Sequence, residues 1–336
     1  MKAYVLRKSG AADSLKMEEV PEPVPSSSEL KIKVRSIGIN YAEILSRRGQ
    51  YQWAPKRPYV PGMEAFGEVV EVGSQVNNFN VGDEVIVGGQ YGAYAEYLIS
   101  KEHLTFPAEA TFTPAENAAY LVSFMTAYVA LFKLARIQPN EKILIQAAAG
   151  GVGTSAVQLA KAINAEVYGT ASQDDKLKLL ADLGVDHPIN YRSSDFEQYI
   201  KEHGGGVDAV LEVVGGEVFK KSLRSLNTFG RLVVVGYASI PFKKWNPLSW
   251  YQTWKNAPKV NVMNQAKFSS GVMATHIGYL TEHPEISKAC WAELKRFVSE
   301  YQIKPTVGRV FDFDKMSEAH AWVESRNNIG KTVVTL

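Results

Sequence analysis

The chain has a single cysteine, Cys290, in 336 residues. One thiol excludes an intramolecular disulfide and a four-cysteine zinc lobe, and it points to a reducing compartment. Runs of like charge are missing too. Lys and Arg number 37 against 35 Asp and Glu, a net charge of +2, so neither a nucleic-acid stripe nor an acidic tail is expected. No window reaches the ~18 uninterrupted apolar residues of a membrane span. The opening MKAYVLRKSG has no apolar core before a cleavage site, and a cytoplasmic protein is expected. The histidines His103, His187, His203, His276, His283 and His320 are scattered, with no pair at metal-ligand spacing. No G-x-S-x-G elbow follows a strand, and Cys290 beside Trp291 reads as an inert thiol within a helix.

What is present is the balance of a globular enzyme: 46% hydrophobic and 21% charged residues, in a length that calls for two domains or one inserted into another. Up to about residue 117, short alternating runs (KAYVL, ELKIKVRSIGIN, EAFGEVVEVG, GDEVIVGG, YAEYLIS) are broken by Gly, Pro and Ser, the texture of antiparallel strands. Helical spacing begins at PAENAAYLVSFMTAYVALFKLA. Strands and helices then alternate: EKILIQA, TSAVQLAKAI, AEVYGTA, DDKLKLLADLG, DHPINY, DFEQYIKEHG, VDAVLEVV, EVFKKSLRSL, RLVVVGY. Such alternation implies a doubly wound parallel sheet, because each crossover returns the chain to the same end of the sheet. Helices are expected over 269–300 and 314–326, and a closing strand KTVVTL resembles the first ones. The domains are drawn as 1–120, 121–265 and 266–336, the last returning to the first.

The main chemical signal is ILIQAAAGGVGTSAVQLAKAI. A strand ends in small residues, Ala147, Ala148, Ala149, Gly150, Gly151, Val152 and Gly153, and a helix opens at once. Small side chains admit a pyrophosphate to the backbone, and the N–H groups and dipole of the helix face its charge. Ala148 stands in the first glycine position of G-x-G-x-x-G, but the strand-to-helix setting is the one that fingerprint requires. An acid about 20 residues on would accept from a ribose 2′-hydroxyl. Here Ser172 and Lys176 occupy that region, with Asp174 and Asp175 between them. The lysine suits a 2′-phosphate, hence NADPH; its other reading is a solvated helix residue.

AAAGGVG, GTASQDDK and INY, with PGMEAFG, VGDEV and GAYAEYL, resemble the medium-chain dehydrogenase/reductase superfamily in its zinc-free quinone oxidoreductase group. GINYAEILSRRGQY, PGMEAFG, FMTAY and IGYL are most similar to its vesicle amine transport protein branch, and the likeness runs the length of the chain. The resemblance implies a Rossmann domain joined to a mostly β, GroES-like catalytic domain, with the active site in a cleft between them. It also implies a homodimer joined through edge strands, for which KVNVM at 259–263 is the candidate. By the same resemblance, Ala149 to Gly153, Ser172, Lys176 and Tyr191 hold the phosphates, Asn40 and Thr126 lie near the nicotinamide, and Gly236 and Tyr237 end a strand beside the cofactor.

In zinc-dependent relatives a G-H-E signature supplies a histidine to the metal, where this chain reads Gly62, Met63, Glu64; a cysteine ligand lies near the position of Asn40. A thioether and an amide are poor zinc ligands. Without a Lewis acid, simple carbonyls lose several kcal/mol of stabilisation at the developing alkoxide, so acceptors that delocalise charge fit better: quinones, or enals and enones. Tyr51 is the candidate donor to such an acceptor and Asn40 a candidate orienting amide, although each also reads as a packing or turn residue. His276 is open to two readings, cleft-facing or packing, and Glu64 to two, a hydrogen-bonded acid near the cleft or a carboxylate tying down a turn. The aromatic segment 241–259, with Trp245, Trp250 and Trp254 among lysines, reads as a lid, a dimer contact or a membrane-interface helix. A regulatory or vesicle-associated NADPH-binding protein with little turnover is the non-enzymatic alternative.

Overall fold

A computed structural model describes residues 1–236, 257 and 259–336. They form two compact units: Met1–Met125 with Ile277–Arg296 and Lys304–Leu336, and Thr126–His276 with Phe297–Ile303. Borders at 120/121 and 265/266 were expected from the sequence. Among the described residues no helix is long and apolar enough to cross a membrane.

The first unit begins with strands β1 (Lys2–Leu6), β2 (Leu15–Glu19) and β3 (Glu29–Ile39) and helix α1 (Tyr41–Arg47). It continues through β4 (Glu64–Val72), β5 (Glu84–Gly88), β6 (Tyr97–Lys101), β7 (Thr105–Pro107), α2 (Pro114–Ala118) and α3 (Leu121–Tyr128). Along β3 the burial alternates at Leu30, Ile32 and Val34 and then becomes continuous from Ser36 to Ile39. That change marks a strand that gains a second covered face, since α2 packs on β3. Thr113 starts α2 with a capping box: its Oγ accepts from the Glu116 N–H at 3.2 Å while its own N–H donates to Glu116 at 2.7 Å, and Pro114 takes the first turn.

The second unit runs β8 (Lys142–Ile145), α4 (Gly151–Ala162), β9 (Glu166–Ala171), α5 (Asp174–Asp182), β10 (His187–Asn190), α6 (Phe196–Gly204) and β11 (Val207–Glu212). It continues with α7 (Gly216–Arg224), β12 (Leu226–Val234), α8 (Val262–Phe268) and β13 (Gly271–Ala274). The sheet order is β10-β9-β8-β11-β12-β13, and every pair is parallel. The chain builds outward from β8 in one direction, then returns beside it at β11. The switch point at the carboxyl ends of β8 and β11 is where a doubly wound sheet opens to a ligand.

The chain then re-enters the first unit through α9 (Pro284–Glu300), β14 (Val307–Asp312), α10 (Met316–Glu324) and β15 (Lys331–Thr335). The first unit's sheet order is β14-β15-β3-β4-β5-β7, with β6 on β3. The last strand lies antiparallel to β3, Thr332 opposite Ile39.

Several local expectations are corrected. KVNVM is not a strand: the Asn261 side chain accepts from the N–H of Met263 and Asn264 at 2.9 and 3.3 Å and caps α8, an N-cap preference that overrides the β-branched run. Among the described residues the edge strands of the second unit's sheet are β10 and β13. Of the span 269–300 expected to be helical, Pro284–Glu300 is α9 and Ile277–Glu282 a 3-10 turn, while Gly271–Ala274 is strand β13, after Ser269 ends α8 at φ 51°. The stretch from 114, where helical spacing begins, is helical as expected, in three pieces: α2, α3 and a π turn at Val129–Leu134. Tyr237 lies outside the described residues, as does the aromatic segment except for residues 257 and 259.

Candidate functional site

In the second unit, the turn from β8 to α4 is built as an anion cradle. Ala147 adopts φ 50°, its carbonyl accepts from the Gly150 N–H at 3.0 Å, and Gly150 leads into the helix from extended backbone. A Cβ at Gly153 would stand 2.4 Å from the Ala147 oxygen and 2.6 Å from Ala148, so only glycine lets the helix start this close. The first N–H groups of this 12-residue helix have no carbonyl four residues back and carry the positive end of its dipole. Gly151 and Val152 are partly exposed there, with Ala149 buried behind them. Ala148, in the first glycine position, is fully buried, and a Cβ on Gly169 of the neighbouring strand would come within 3.2 Å of its methyl. Alanine is accommodated because β9 offers a glycine opposite it.

At the end of β9 the chain reads Ala171, Ser172, Gln173, with no acid until α5 begins. Ser172 and Lys176 are both buried, at 7% exposure each. Burial lowers the Lys176 pKa, Asp175 opposes that, and the charge of Arg192 lowers it further. Arg192 was missed in reading the sequence, although a cation directly after INY was a signal. Tyr191 is half exposed and ties its N–H to the Ala171 carbonyl at 3.1 Å. Two cations next to a strand end without an acid form a setting suited to a phosphate rather than a bare ribose. Gly236 lies just past β12, where a Cβ would stand 3.5 Å from the Val213 carbonyl, and Thr126 is buried in α3.

In the first unit, Asn40 leads into α1 and sits within a buried cluster. Its Nδ2 donates to Glu64 at 3.0 Å and its Oδ1 accepts from the Lys331 ammonium at 2.5 Å. Lys331 also lies 2.5 Å from Glu64 and donates to Ser123 at 3.3 Å, while the Val122 N–H donates to the second Glu64 oxygen at 2.9 Å. Glu64 therefore neither stands alone nor merely ties a turn. It is one half of a buried ion pair whose partner comes from the last strand.

A second carboxylate adjoins this one. Glu43 accepts from the Asn40 N–H at 2.7 Å, the Met63 N–H at 2.6 Å and the Tyr94 hydroxyl at 2.7 Å. Burial pushes its pKa up to about 7 against the pull of those donors and of Lys331. The Tyr94 proton goes to Glu43, so His320 Nε2, 2.8 Å away, donates to the Tyr94 oxygen. Burial, then Arg47, holds His320 down to about 3, and its Nδ1 has no hydrogen-bond partner among the described residues.

Tyr51 stands edge-on to Trp53, with centroids 5.2 Å apart, and Trp53 edge-on to Tyr279 at 5.5 Å, its indole N–H donating to the Tyr279 hydroxyl. Burial, then Glu43 and Tyr279, raises the Tyr51 pKa, so its phenol keeps its proton. Trp53 and Tyr279 were not singled out in the sequence, because nothing local joins two aromatics so far apart in the chain. His276 follows β13, half-buried, with its pKa lowered by burial.

Residues 26–110 match the alcohol dehydrogenase GroES-like domain and residues 151–269 the zinc-binding dehydrogenase family. The human synaptic vesicle membrane protein VAT-1 homolog is 33% identical over 99% of this chain and 86% of its own. Among solved structures, the Escherichia coli quinone oxidoreductase complexed with NADPH superposes at a TM-score of 0.88 with 28% identity, covering 100% of both chains. The CurK enoyl reductase superposes at 0.84 with 27% identity, over 99% of this chain and 98% of that one. The metal in the family's description does not fit the residues present here. Met63 replaces histidine, the Asn40 amide is spent on Glu64 and Lys331, and an ammonium already sits against the carboxylate. Among the described residues no group of three or more His, Cys, Asp or Glu could hold a metal ion. With a parallel Rossmann sheet, a GroES-like unit and a relative of this identity over nearly its whole length, the chain belongs to the medium-chain dehydrogenase/reductase superfamily, in the branch of the VAT-1 homologues.

Proposed function

We propose that this protein is a zinc-independent, NADPH-dependent oxidoreductase that reduces quinones. The observation that carries the reading is the pairing of a pyrophosphate cradle at Gly150 to Gly153 with Lys176 and Arg192 beside an acid-free strand end. NADPH, when bound, supplies the hydride. The chain's own contributions are binding, orientation and hydrogen bonding. Gly151, Val152 and Gly153 would receive the pyrophosphate, Ser172, Lys176 and Tyr191 the adenosine phosphate, and Asn40, Thr126 and Gly236 the nicotinamide side. Tyr51, protonated throughout the neutral range, would donate to the acceptor oxygen. Lys331 and Glu64 fix the Asn40 amide in one orientation, so what it retains for a ligand is the second lone pair of its oxygen.

A quinone spreads its developing charge over the ring and needs no Lewis acid, which agrees with a lysine where zinc ligands would converge. Reduction of conjugated enals or enones is the second reading, supported by the likeness to an enoyl reductase. A homodimer is also proposed. Among the described residues β13 has a strand on one side only, and Val260, Val262, Met263 and Phe268 are exposed beside it. A single buried cysteine suits a reducing cytoplasm.

The test is loss of reduced-nicotinamide absorbance with an ortho-quinone, a para-quinone and an α,β-unsaturated aldehyde, with chelator present throughout. Chelator-insensitive oxidation by a quinone is the expected result. Preference for the aldehyde selects the second reading. Tight NADPH binding with no turnover on any acceptor sinks both and leaves a binding protein, as its relationship to a vesicle membrane protein would allow.

A further inference from the structure

Behind the glycine turn runs a chain of buried polar side chains that the cofactor reading does not use. At the carboxyl end of β11, Glu212 accepts from the Val214 N–H at 2.6 Å, the Gly215 N–H at 2.8 Å and the Ser222 hydroxyl at 3.0 Å. Ser222 Oγ accepts from Gln146 Nε2 at 3.0 Å. Gln146 Oε1 accepts from the Thr170 hydroxyl at 2.7 Å, and Thr170 Oγ1 accepts from the Ala147 N–H at 3.1 Å. The four side chains are exposed by 2% or less. They cross the carboxyl ends of β11, β8 and β9, the three strands around the switch point.

Each link has one donor direction available. Glu212 as a carboxylate only accepts, so the serine proton must point to it. The serine lone pair then takes the Gln146 amide, whose oxygen is left facing the threonine proton. The threonine lone pair is thereby turned to the backbone of Ala147, the residue held at φ 50° whose carbonyl closes the turn onto Gly150. A left-handed alanine is strained by itself and persists where its surroundings over-determine it.

We propose that Thr170, Gln146, Ser222 and Glu212 are positioning residues for the dinucleotide: a one-directional hydrogen-bond relay that locks Ala147 and presents the N–H groups of Gly151 to Gly153 to the pyrophosphate. The relay rests on the dinucleotide reading. It acts on the part common to NADPH and NADH, whereas Lys176 acts on the 2′-phosphate alone. Because the links act in series, breaking any one releases the same loop.

The experiment measures NADPH and NADH dissociation constants, by nicotinamide fluorescence and calorimetry, for the full chain and for Thr170→Val, Thr170→Ser, Ser222→Ala and the double variant Thr170→Val/Ser222→Ala, with melting temperatures alongside. Loss of one buried hydrogen bond at the loop should weaken both dinucleotides by the same factor, about tenfold. Thr170→Ser should stay within about twofold, since it keeps the hydroxyl. The double variant should be no weaker than either single one, the mark of a serial device. A lower melting temperature with unchanged dissociation constants, or additive losses in the double variant, overturns the relay and leaves a structural network. Should Thr170→Val fail to fold, the pair Ser222→Ala and Thr170→Ser carries the test. A wild-type chain that binds neither dinucleotide overturns the cofactor reading itself, an outcome distinct from wild-type binding that the variants leave untouched.

Discussion

Glu64 in the first unit and Glu212 in the second are buried in different ways. In the first, Glu64 is compensated by a full positive charge, the ammonium of Lys331 at 2.5 Å, with Glu43, Tyr94 and His320 packed alongside. In the second, Glu212 is compensated, among the described residues, by dipoles: two backbone N–H groups and one hydroxyl. A charge pair tolerates loss of a partner badly, because the survivor stays ionised in a medium that solvates it poorly. A carboxylate held by several dipoles loses one of them at a smaller cost. The first arrangement is therefore an all-or-none clasp between β4 and the last strand, and the second a graded device suited to fine positioning.

The sharpest way to break that contrast is Lys331→Met. It should destabilise the chain by about 3–5 kcal/mol in chemical denaturation, with Lys331→Met/Glu64→Gln recovering most of the loss. Ser222→Ala, by contrast, should cost about 1–3 kcal/mol. Equal losses for the two would remove the distinction.

Next in size is pH. Glu43, raised to about 7 from an ordinary 4.5, keeps its proton in the folded chain where the unfolded chain has lost it, so its contribution to stability falls as pH rises between those values. His320, lowered from 6.5 to about 3, stays neutral where the unfolded chain is protonated, so its contribution rises with pH over that window. Where the windows overlap the two slopes oppose each other, each worth about 1.4 kcal/mol per pH unit. Denaturation at stepped pH should show Glu43→Gln gaining stability as pH rises through the overlap and His320→Gln losing it. Parallel slopes in both variants would refute the assignment.

The smallest expected effect concerns Lys176, the cation proposed to meet the 2′-phosphate. Lys176→Ala should change the melting temperature little, weaken NADPH about tenfold and leave NADH unaffected, as titrated by fluorescence. A Lys331-like loss of stability would mean that Lys176 is structural.

Much of the second unit was legible because its signals are contiguous. The small residues from Ala147 to Gly153 follow an apolar strand and open a helix, and alternating strand and helix periods leave a parallel sheet as the only economical pairing. The Gly62-Met63-Glu64 run and Asn40, on which the zinc-independent proposal draws, are likewise read from single short stretches. The misreadings came where a local cap overrode a pattern. Asn261 turned KVNVM into a helix start, and after Ser269 the stretch expected to be helical opens with a strand before α9 begins at Pro284. The first unit's chemistry was hidden for another reason: Glu64, Lys331, Glu43 and His320 are scattered along the sequence, as are Trp53 and Tyr279.

What the sequence determined by itself are the features whose causes lie within one turn of the chain: the Gly153 contact that brings helix to strand, the Thr113 capping box, and the absence of an acid after β9. What only the tertiary structure decided is which buried polar groups meet. Strand order and register make that choice, bringing Lys331 at the head of β15 to Asn40 at the end of β3, and Gln146 between Thr170 and Ser222. A buried charge or amide must find its partner wherever the fold delivers one, and that partner's position along the chain leaves no local trace.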